Sequence, residues 1–337
     1  LSARLGLPHV TLPWAGPDPQ GNLMDQARRA RLSLMADWAR AHEISHIFLG
    51  HTADDEAEGF VMNLARVAGL EGLSGMRPVW TEQGVQWRRP LLGIGRADLR
   101  AYLRRQGLAW VDDPSNDNDR FARVRARKAL NILKDLGISA DTLQGVVRNL
   151  ACSQAALVQA THDIARRIET PQGHLALPHA LFQDLPADLR RRLVIAAIRW
   201  MTGTAYPPRA AQVARMCESL LMGRAGTLAG LRFRLQDQML ILSREPRAVM
   251  GAVAPGQIWD HRWQVSGPFA SGQTIAALGA HGLRQCLDWR AFAPRDSALV
   301  SPAIWQGDQL IAAPLVQKNA DWAATQHPSF GMFVLRH

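Results

Sequence analysis

Ile44-Ser45-His46-Ile47-Phe48-Leu49-Gly50-His51-Thr52-Ala53-Asp54-Asp55-Glu56-Ala57-Glu58 is the stretch whose reading decides the fold. A short apolar run stops at Gly50, and a polar turn follows. Thr52 is placed to cap a helix over Ala53 to Val67, because its hydroxyl can accept a backbone N–H of the first turn. Strand, polar turn and helix make the βα unit of a parallel sheet. Ligands of such sheets bind outside the carboxyl ends of the strands, where His51, Asp54 and Asp55 are expected to sit.

Upstream, Leu7 to Trp14 alternates between prolines and predicts a short strand running into a Pro/Gly loop that ends near Gly21. From Asn22 an N-capped helix is expected to His42, with Leu23, Ala27, Ala30, Leu34 and Trp38 at helical spacing and Arg28, Arg29 and Arg31 on its polar face. Downstream come a Gly-rich stretch from Gly69 to Gly75, a hairpin over Val79 to Arg88 and a helix from Arg96. Beyond Ile132 the pattern shifts to long helices, at about 139–169, 186–202 and 207–222. From Gly226 it turns to short apolar segments such as Leu231 to Leu235 and Met239 to Leu242. The expected organisation is an α/β domain over residues 1–131, a mostly helical one over 132–246 and a small β-rich one over 256–337. Pro246 to Pro255 marks the last boundary.

The 337 residues, 47% hydrophobic and 20% charged, have the balance of a folded globular chain, not that of a disordered one. Basic residues number 39 against 29 acidic, a net charge of +10, and all but three of the 39 are arginine. Such an excess attracts polyanions, nucleic acid first among them, although arginine-favouring codon usage explains the composition equally well. Cys152, Cys217 and Cys286 form neither a CxxC pair nor an even disulfide framework, so a cytoplasmic setting is expected. No run approaches the roughly eighteen apolar residues of a membrane span, and no membrane partner is expected.

Two constellations carry chemistry. Acids in a first helical turn offset the helix dipole, which accounts for Asp54 and Asp55 as structure but leaves His51 unexplained. Paired carboxylates beside a strand end also suit Mg²⁺ held against substrate phosphates. The second is Asp112-Asp113-Pro114-Ser115-Asn116 followed by Arg120, Arg123, Arg125 and Arg127. Asp-Pro-Ser-Asn alone is turn chemistry. Arg120, Arg123 and Arg127 fall at i, i+3 and i+7, so one face can present guanidinium forks to phosphate oxygens, or can simply be solvated.

Taken together, Gly21-Asn22-Leu23 with Ala27-Arg28 and Arg31, Leu49 to Glu58, Gly69-Leu70-Glu71-Gly72-Leu73-Ser74-Gly75-Met76, Arg89-Pro90-Leu91-Leu92 and Asp113 to Asn116 with its arginines resemble the tRNA(Ile)-lysidine synthetase family of the PP-loop superfamily, in order and at its intervals. The resemblance covers about residues 5 to 130; the rest is similar in layout only. It implies an incomplete doubly wound parallel-sheet PP-loop domain, then a helical domain and a small, mainly β C-terminal domain, the latter two binding tRNA. It further implies an ATP-dependent ligase that adenylates C2–O of the wobble cytidine in a CAU-anticodon isoleucine tRNA and lets free L-lysine displace AMP.

Carried over by position, His51, Asp54, Asp55 and Glu58 line the ATP, magnesium and lysine site, with Asp54 and Asp55 as metal ligands. Arg66 and the loop carrying Gly69, Gly72 and Gly75 border the same pocket. Asn116, Arg120, Arg123 and Arg125 approach nucleotide or tRNA phosphate. The chain departs from the family at Gly59, where Thr is usual, at Leu32, where an aromatic is usual, and at Asn63, where Arg is common. The family's Ser-Gly-Gly-x-Asp-Ser loop, whose amides cradle pyrophosphate, does not occur in these residues, so an N-terminally truncated chain is expected. A catalytically inactive tRNA-binding remnant and a related PP-loop tRNA thiolase are the alternatives, the second disfavoured by the cysteine spacing.

Overall fold

The structure, a computed structural model, describes residues 2–16, 23–111, 121–286, 288–317 and 320–336. The chain forms two compact units, Leu1–Gln154 and Ala155–His337.

In the first unit, α1 (Leu23–Ala41) is followed by β1 (His46–Phe48), α2 (Ala53–Leu64), α3 (Leu70–Leu73), β2 (Val79–Glu82), β3 (Val85–Arg88), α4 (Arg96–Arg105), α5 (Ala122–Leu133) and the start of α6 (Ala140–Ala165). The sheet order is β1-β3-β2. β1 and β3 run parallel, with Ile47 opposite Trp87, which makes Ile44–Leu64 the βα unit that the patterning predicts. β2 pairs antiparallel to β3, with Trp80 opposite Trp87 and the two rings stacked 5.7 Å apart. Gln83 and Gly84 both take positive φ, as a two-residue turn matched to strand twist requires.

On the sheet, α1 presents Ala36 and Ala39 to Val85 and Trp87, small residues where helix and strand come closest. Leu7–Trp14 forms no strand. Pro8 and Pro13 lack the N–H that a ladder needs, and Leu12 and Trp14 instead lie beside Ala27, Ala30, Leu34 and Met35 of α1. The residues past Ile132 do not separate cleanly from the α/β part, because Leu143 of α6 packs with Leu130 of α5 and Ala57 of α2.

The second unit contains β4 (Leu175–Pro178), α7 (His179–Asp184), α8 (Ala187–Thr202), α9 (Ala210–Leu221), β5 (Gly226–Leu228), β6 (Leu231–Gln236) and β7 (Met239–Arg244). It continues with β8 (Trp263–Ser266), β9 (Thr274–Ala277), α10 (Gly279–Gln285), α11 (Arg295–Leu299), β10 (Pro302–Gln306), β11 (Gln309–Ala312), β12 (Ala323–Gln326) and α12 (Phe330–Arg336). The antiparallel sheet β4-β7-β6-β5 carries Leu175, Leu177, Phe233, Leu240 and Leu242 into a core shared with Leu193, Val194, Ala197, Ile198 and Met201 of α8. Each of the larger side chains contributes roughly 1.5–3 kcal/mol when fully buried. Phe330 and Val334 of α12 enter this same core, and Trp200 Nε1 donates to the Pro328 carbonyl at 2.8 Å. The end of the chain is therefore packed with the helical region. Sheets β11-β10-β9 and β12-β8 build the remainder. Among the described residues no helix is long and apolar enough to cross a membrane.

Candidate functional site

The carboxyl end of β1 opens onto the first turn of α2. Thr52 caps that helix: its hydroxyl accepts Asp55 N–H at 3.4 Å, and Asp55 Oδ2 accepts Thr52 N–H and Thr52 Oγ1–H, both at 2.8 Å. Burial would raise the Asp55 carboxyl, but the two Thr52 hydrogen bonds, then Arg123 and Arg96, outweigh it and leave the group below the ordinary aspartate range. Asp54, one residue earlier and so about 100° round the helix, turns the other way. Its Oδ2 accepts the backbone N–H of Arg96 at 2.6 Å, fastening the start of α4 to the start of α2.

Glu58, one turn on and 1% exposed, is the focus of the cluster. Arg127 Nε lies 2.9 Å from its Oε1, Arg123 Nε 3.1 Å from its Oε2, and Arg96 Nη1 3.5 Å from Oε1. Arg96 and Arg123 also reach Asp55 Oδ1, at 3.5 and 3.6 Å. Three guanidiniums from α4 and α5 thus meet two carboxylates from α2, leaving the group net positive. The arginines stay partly open, Arg123 at 51%, and a guanidinium has five N–H donors, so each retains donors for an anion on the solvent side.

His51 stands at the other end of the turn. Arg89, 7% exposed and just past β3, donates from Nε to His51 Nδ1 at 3.1 Å and from Nη1 to the Arg77 carbonyl. Its guanidinium also lies 4.2 Å from the Trp80 ring centre. Burial first, then the Arg89 charge, lower the His51 pKa. Burial also lowers Arg89 to about 10, which still leaves it charged at neutral pH.

The glycine loop is tied to the same helix from below. Glu56, 6% exposed, accepts Met76 N–H at 3.1 Å, and Asn63 Nδ2 donates to the Gly72 carbonyl at 2.7 Å. Gly75 takes φ +76°, and a Cβ there would stand 2.4 Å from Val147 Cγ1 and 2.5 Å from Glu56 Oε1. Gly72 has no such torsion, yet a Cβ would approach that of Ala68 to 2.8 Å; Gly69 precedes α3 as its N-cap. Arg66 is exposed, and Arg125 on α5 is exposed as well.

Asp55, Glu58 and Arg123 are thus brought together, and His51 stands at the other end of the same turn against Arg89. Asp54 borders them but points to α4. Asn116 and Arg120 lie outside the described residues, as do Asp112–Ser115. Magnesium is the cation that the resemblance implies. Asp54 and Asp55 diverge, and Asp55 has Oδ2 on Thr52 and Oδ1 towards two guanidiniums, so they do not fit a shared two-carboxylate clamp. Among the described residues no group of three or more His, Cys, Asp or Glu side chains is gathered as a metal site. The patterning does not assign Arg89 or Arg96 to the site, and it places Arg127 only on the arginine face of its helix. Their one sequence signal is a position in or near the recognised motifs, at Arg89-Pro90-Leu91-Leu92 and at the i, i+3, i+7 arginine row.

Residues 1–133 match the PP-loop domain family ATP_bind_3. The chain is 42% identical over 326 residues to the tRNA(Ile)-lysidine synthase of Ruegeria pomeroyi, covering 96% of this chain and 78% of that protein. It is 35% identical over 260 residues to the one from Methylobacterium nodulans, covering 73% and 76%. With the one from Bradyrhizobium diazoefficiens it shares 37% identity over 207 residues, which is 59% of this chain and 57% of that relative. The chain belongs to the tRNA(Ile)-lysidine synthase family.

Proposed function

We propose that this protein uses ATP to ligate L-lysine to C2 of the wobble cytidine of the CAU-anticodon isoleucine tRNA. The reading is carried by one observation: Arg96, Arg123 and Arg127 converge on Asp55 and Glu58 beside the carboxyl end of β1. That is the position at which an α/β sheet receives a ligand, and partly exposed guanidiniums suit one carrying phosphate. The names of the relatives support an isoleucine tRNA as the substrate.

The chemistry asks for such a surface. A cytosine C2 carbonyl oxygen is a poor leaving group until its attack on the α-phosphorus of ATP makes it a phosphate ester and expels pyrophosphate. The lysine ε-amine then bonds to C2, and AMP departs with the oxygen. Negative charge grows on phosphate oxygens in both steps, and preorganised donors in a partly water-excluded site stabilise it. In this reading Arg123 and Arg96 supply donors, Asp55 and Glu58 hold those arginines in place, and the loop of Gly69, Gly72 and Gly75 forms one wall. Arg66 and Arg125 extend the basic surface outward, with Asn116 and Arg120 assigned to the same phosphates. Magnesium accompanies the ATP, and no step here is assigned to Asp54 or Asp55 as its ligands. The protein acts in the cytoplasm, where tRNA, ATP and free lysine coexist.

The test is pyrophosphate release by the intact gene product with ATP, magnesium, lysine and an isoleucine tRNA transcript. Release that needs all four and ends in a lysine-bearing cytidine is the expected result. Tight transcript binding with no release above background favours the non-catalytic tRNA-binding alternative instead. The thiolase alternative lacks support, since Cys152, Cys217 and Cys286 do not supply the paired spacing that such chemistry uses.

A further inference from the structure

We infer that His51 serves this site as a fixed Nε2–H hydrogen-bond donor to a phosphate oxygen, not as a general base, and that Arg89 is the positioning residue that makes it so. The inference deepens the reading above and rests on it.

A guanidinium has only N–H donors, so the group that Arg89 meets must present a lone pair. Arg89 Nε meets His51 Nδ1 at 3.1 Å. In a neutral imidazole one nitrogen accepts and the other carries the proton, so the proton of His51 resides on Nε2. Arg89 cannot swing away cheaply: its Nη1 is spent on the Arg77 carbonyl, its backbone N–H on the Pro78 carbonyl at 2.9 Å, and its plane lies against Trp80. At 7% exposure no solvent shell replaces those partners.

A base would have to take a proton at a nitrogen with a free lone pair. Nε2 already carries its proton, and a proton at Nδ1 would set two donors against each other. It would also create a second positive charge beside a buried guanidinium. Both routes are opposed by the same contact. What His51 retains is one N–H, on a residue that stands between the carboxyl end of β1 and the first turn of α2, the place where an α/β sheet receives a ligand. A neutral donor there strengthens as negative charge develops on that oxygen and needs no proton transfer. The amine of lysine must therefore lose its proton to another group or to solvent.

Two measurements on the intact protein test this. Ring-¹⁵N histidine NMR, with the signal assigned by its loss in His51→Gln, is expected to show Nδ1 unprotonated and Nε2 protonated at neutral pH. Arg89→Met is expected to give mixed tautomers, and Arg89→Lys, which keeps a cationic donor, to restore the Nε2–H form. A proton on Nδ1 in the unaltered protein overturns the assignment. In pyrophosphate release, His51→Gln keeps an N–H donor but no useful base. It is expected to retain activity within about tenfold, while His51→Ala loses about a hundredfold, the size of one lost oxyanion donor. Equal losses in the two variants overturn the donor role. These variants leave Arg89 intact, so the outcome stands even if Arg89→Met fails to fold. Absence of release by the unaltered protein would instead remove the ligase reading, and the tautomer measurement would remain valid.

Discussion

Arg127 Nε lies 2.9 Å from Oε1 of Glu58, a carboxylate that α2 buries to 1% exposure. A buried carboxylate is tolerated only with such partners, and here the partners themselves reach solvent. Removing the carboxylate leaves Arg96, Arg123 and Arg127 crowded together with Asp55 as their remaining acid. Glu58→Ala is expected to lower stability by about 1–3 kcal/mol, less than a fully buried pair would cost because the arginines can rehydrate. Urea denaturation of the variant, of Arg127→Ala and of the double variant measures the coupling; full additivity would refute it.

Two glycines of the first unit should respond oppositely to alanine. Gly75→Ala places a Cβ against Val147 and Glu56 at positive φ and is expected to cost about 1–3 kcal/mol. Gly59 sits inside α2 with open space where an added methyl would stand, so Gly59→Ala is expected to gain about 0.5–1 kcal/mol from helix propensity. Thermal unfolding of the two variants decides both signs.

The depressed Asp55 carboxyl makes stability depend on pH in a definite direction. Its folded pKa lies below its unfolded value, so its contribution is complete above the ordinary aspartate range and is lost as pH falls through the folded value. The stability gap between the unaltered protein and Asp55→Asn should therefore narrow on acidification. A gap independent of pH would contradict the Thr52 and arginine contacts as its source.

His174 gives a second slope. It is buried, its Nδ1 lies 2.8 Å from Ser297 Oγ, and burial followed by the Arg262 charge lowers its pKa from 6.5. The unfolded chain then binds the proton first, so this group costs stability as pH falls below about 6.5 and nothing above it. His174→Gln should flatten that part of the profile, as read by denaturant midpoints between neutral and mildly acidic pH.

In the second unit Asp260, fully buried, accepts Arg244 Nε at 2.9 Å, Arg244 Nη2 at 2.8 Å and Met250 N–H at 3.1 Å. Arg262, 1% exposed, has Nε and Nη1 without hydrogen-bond partners among the described residues and depends on Asp260 for compensating charge. Asp260→Ala is expected to cost about 3–5 kcal/mol, whereas the paired change Arg244→Met with Asp260→Leu should cost less than the single one. Denaturation midpoints that rank the other way would refute the pairing.

The helices α1, α8 and α9, the Val79–Arg88 hairpin and the βα junction at Gly50 are legible because each is written in local periodicity or turn chemistry. Leu7–Trp14 is not the strand its pattern predicts, since alternation says nothing about whether a neighbouring strand will accept the hydrogen bonds. At the site, the mounting of Asp55 and Glu58 on one helix is legible in the spacing. Reading Asp54 and Asp55 as a pair is too simple, because adjacent helical residues project about 100° apart.

Sequence by itself determined the family, the α/β start of the chain and the helix on which Asp55 and Glu58 are mounted with His51 just before it, because motif spacing and apolar period are local properties. Tertiary structure alone decided that Arg89 closes on His51 and that Arg96, Arg123 and Arg127 close on Glu58. Those partners lie 38 to 69 residues apart along the chain, and a pattern of apolar positions fixes which face of a helix is buried but not which distant guanidinium will meet a carboxylate there.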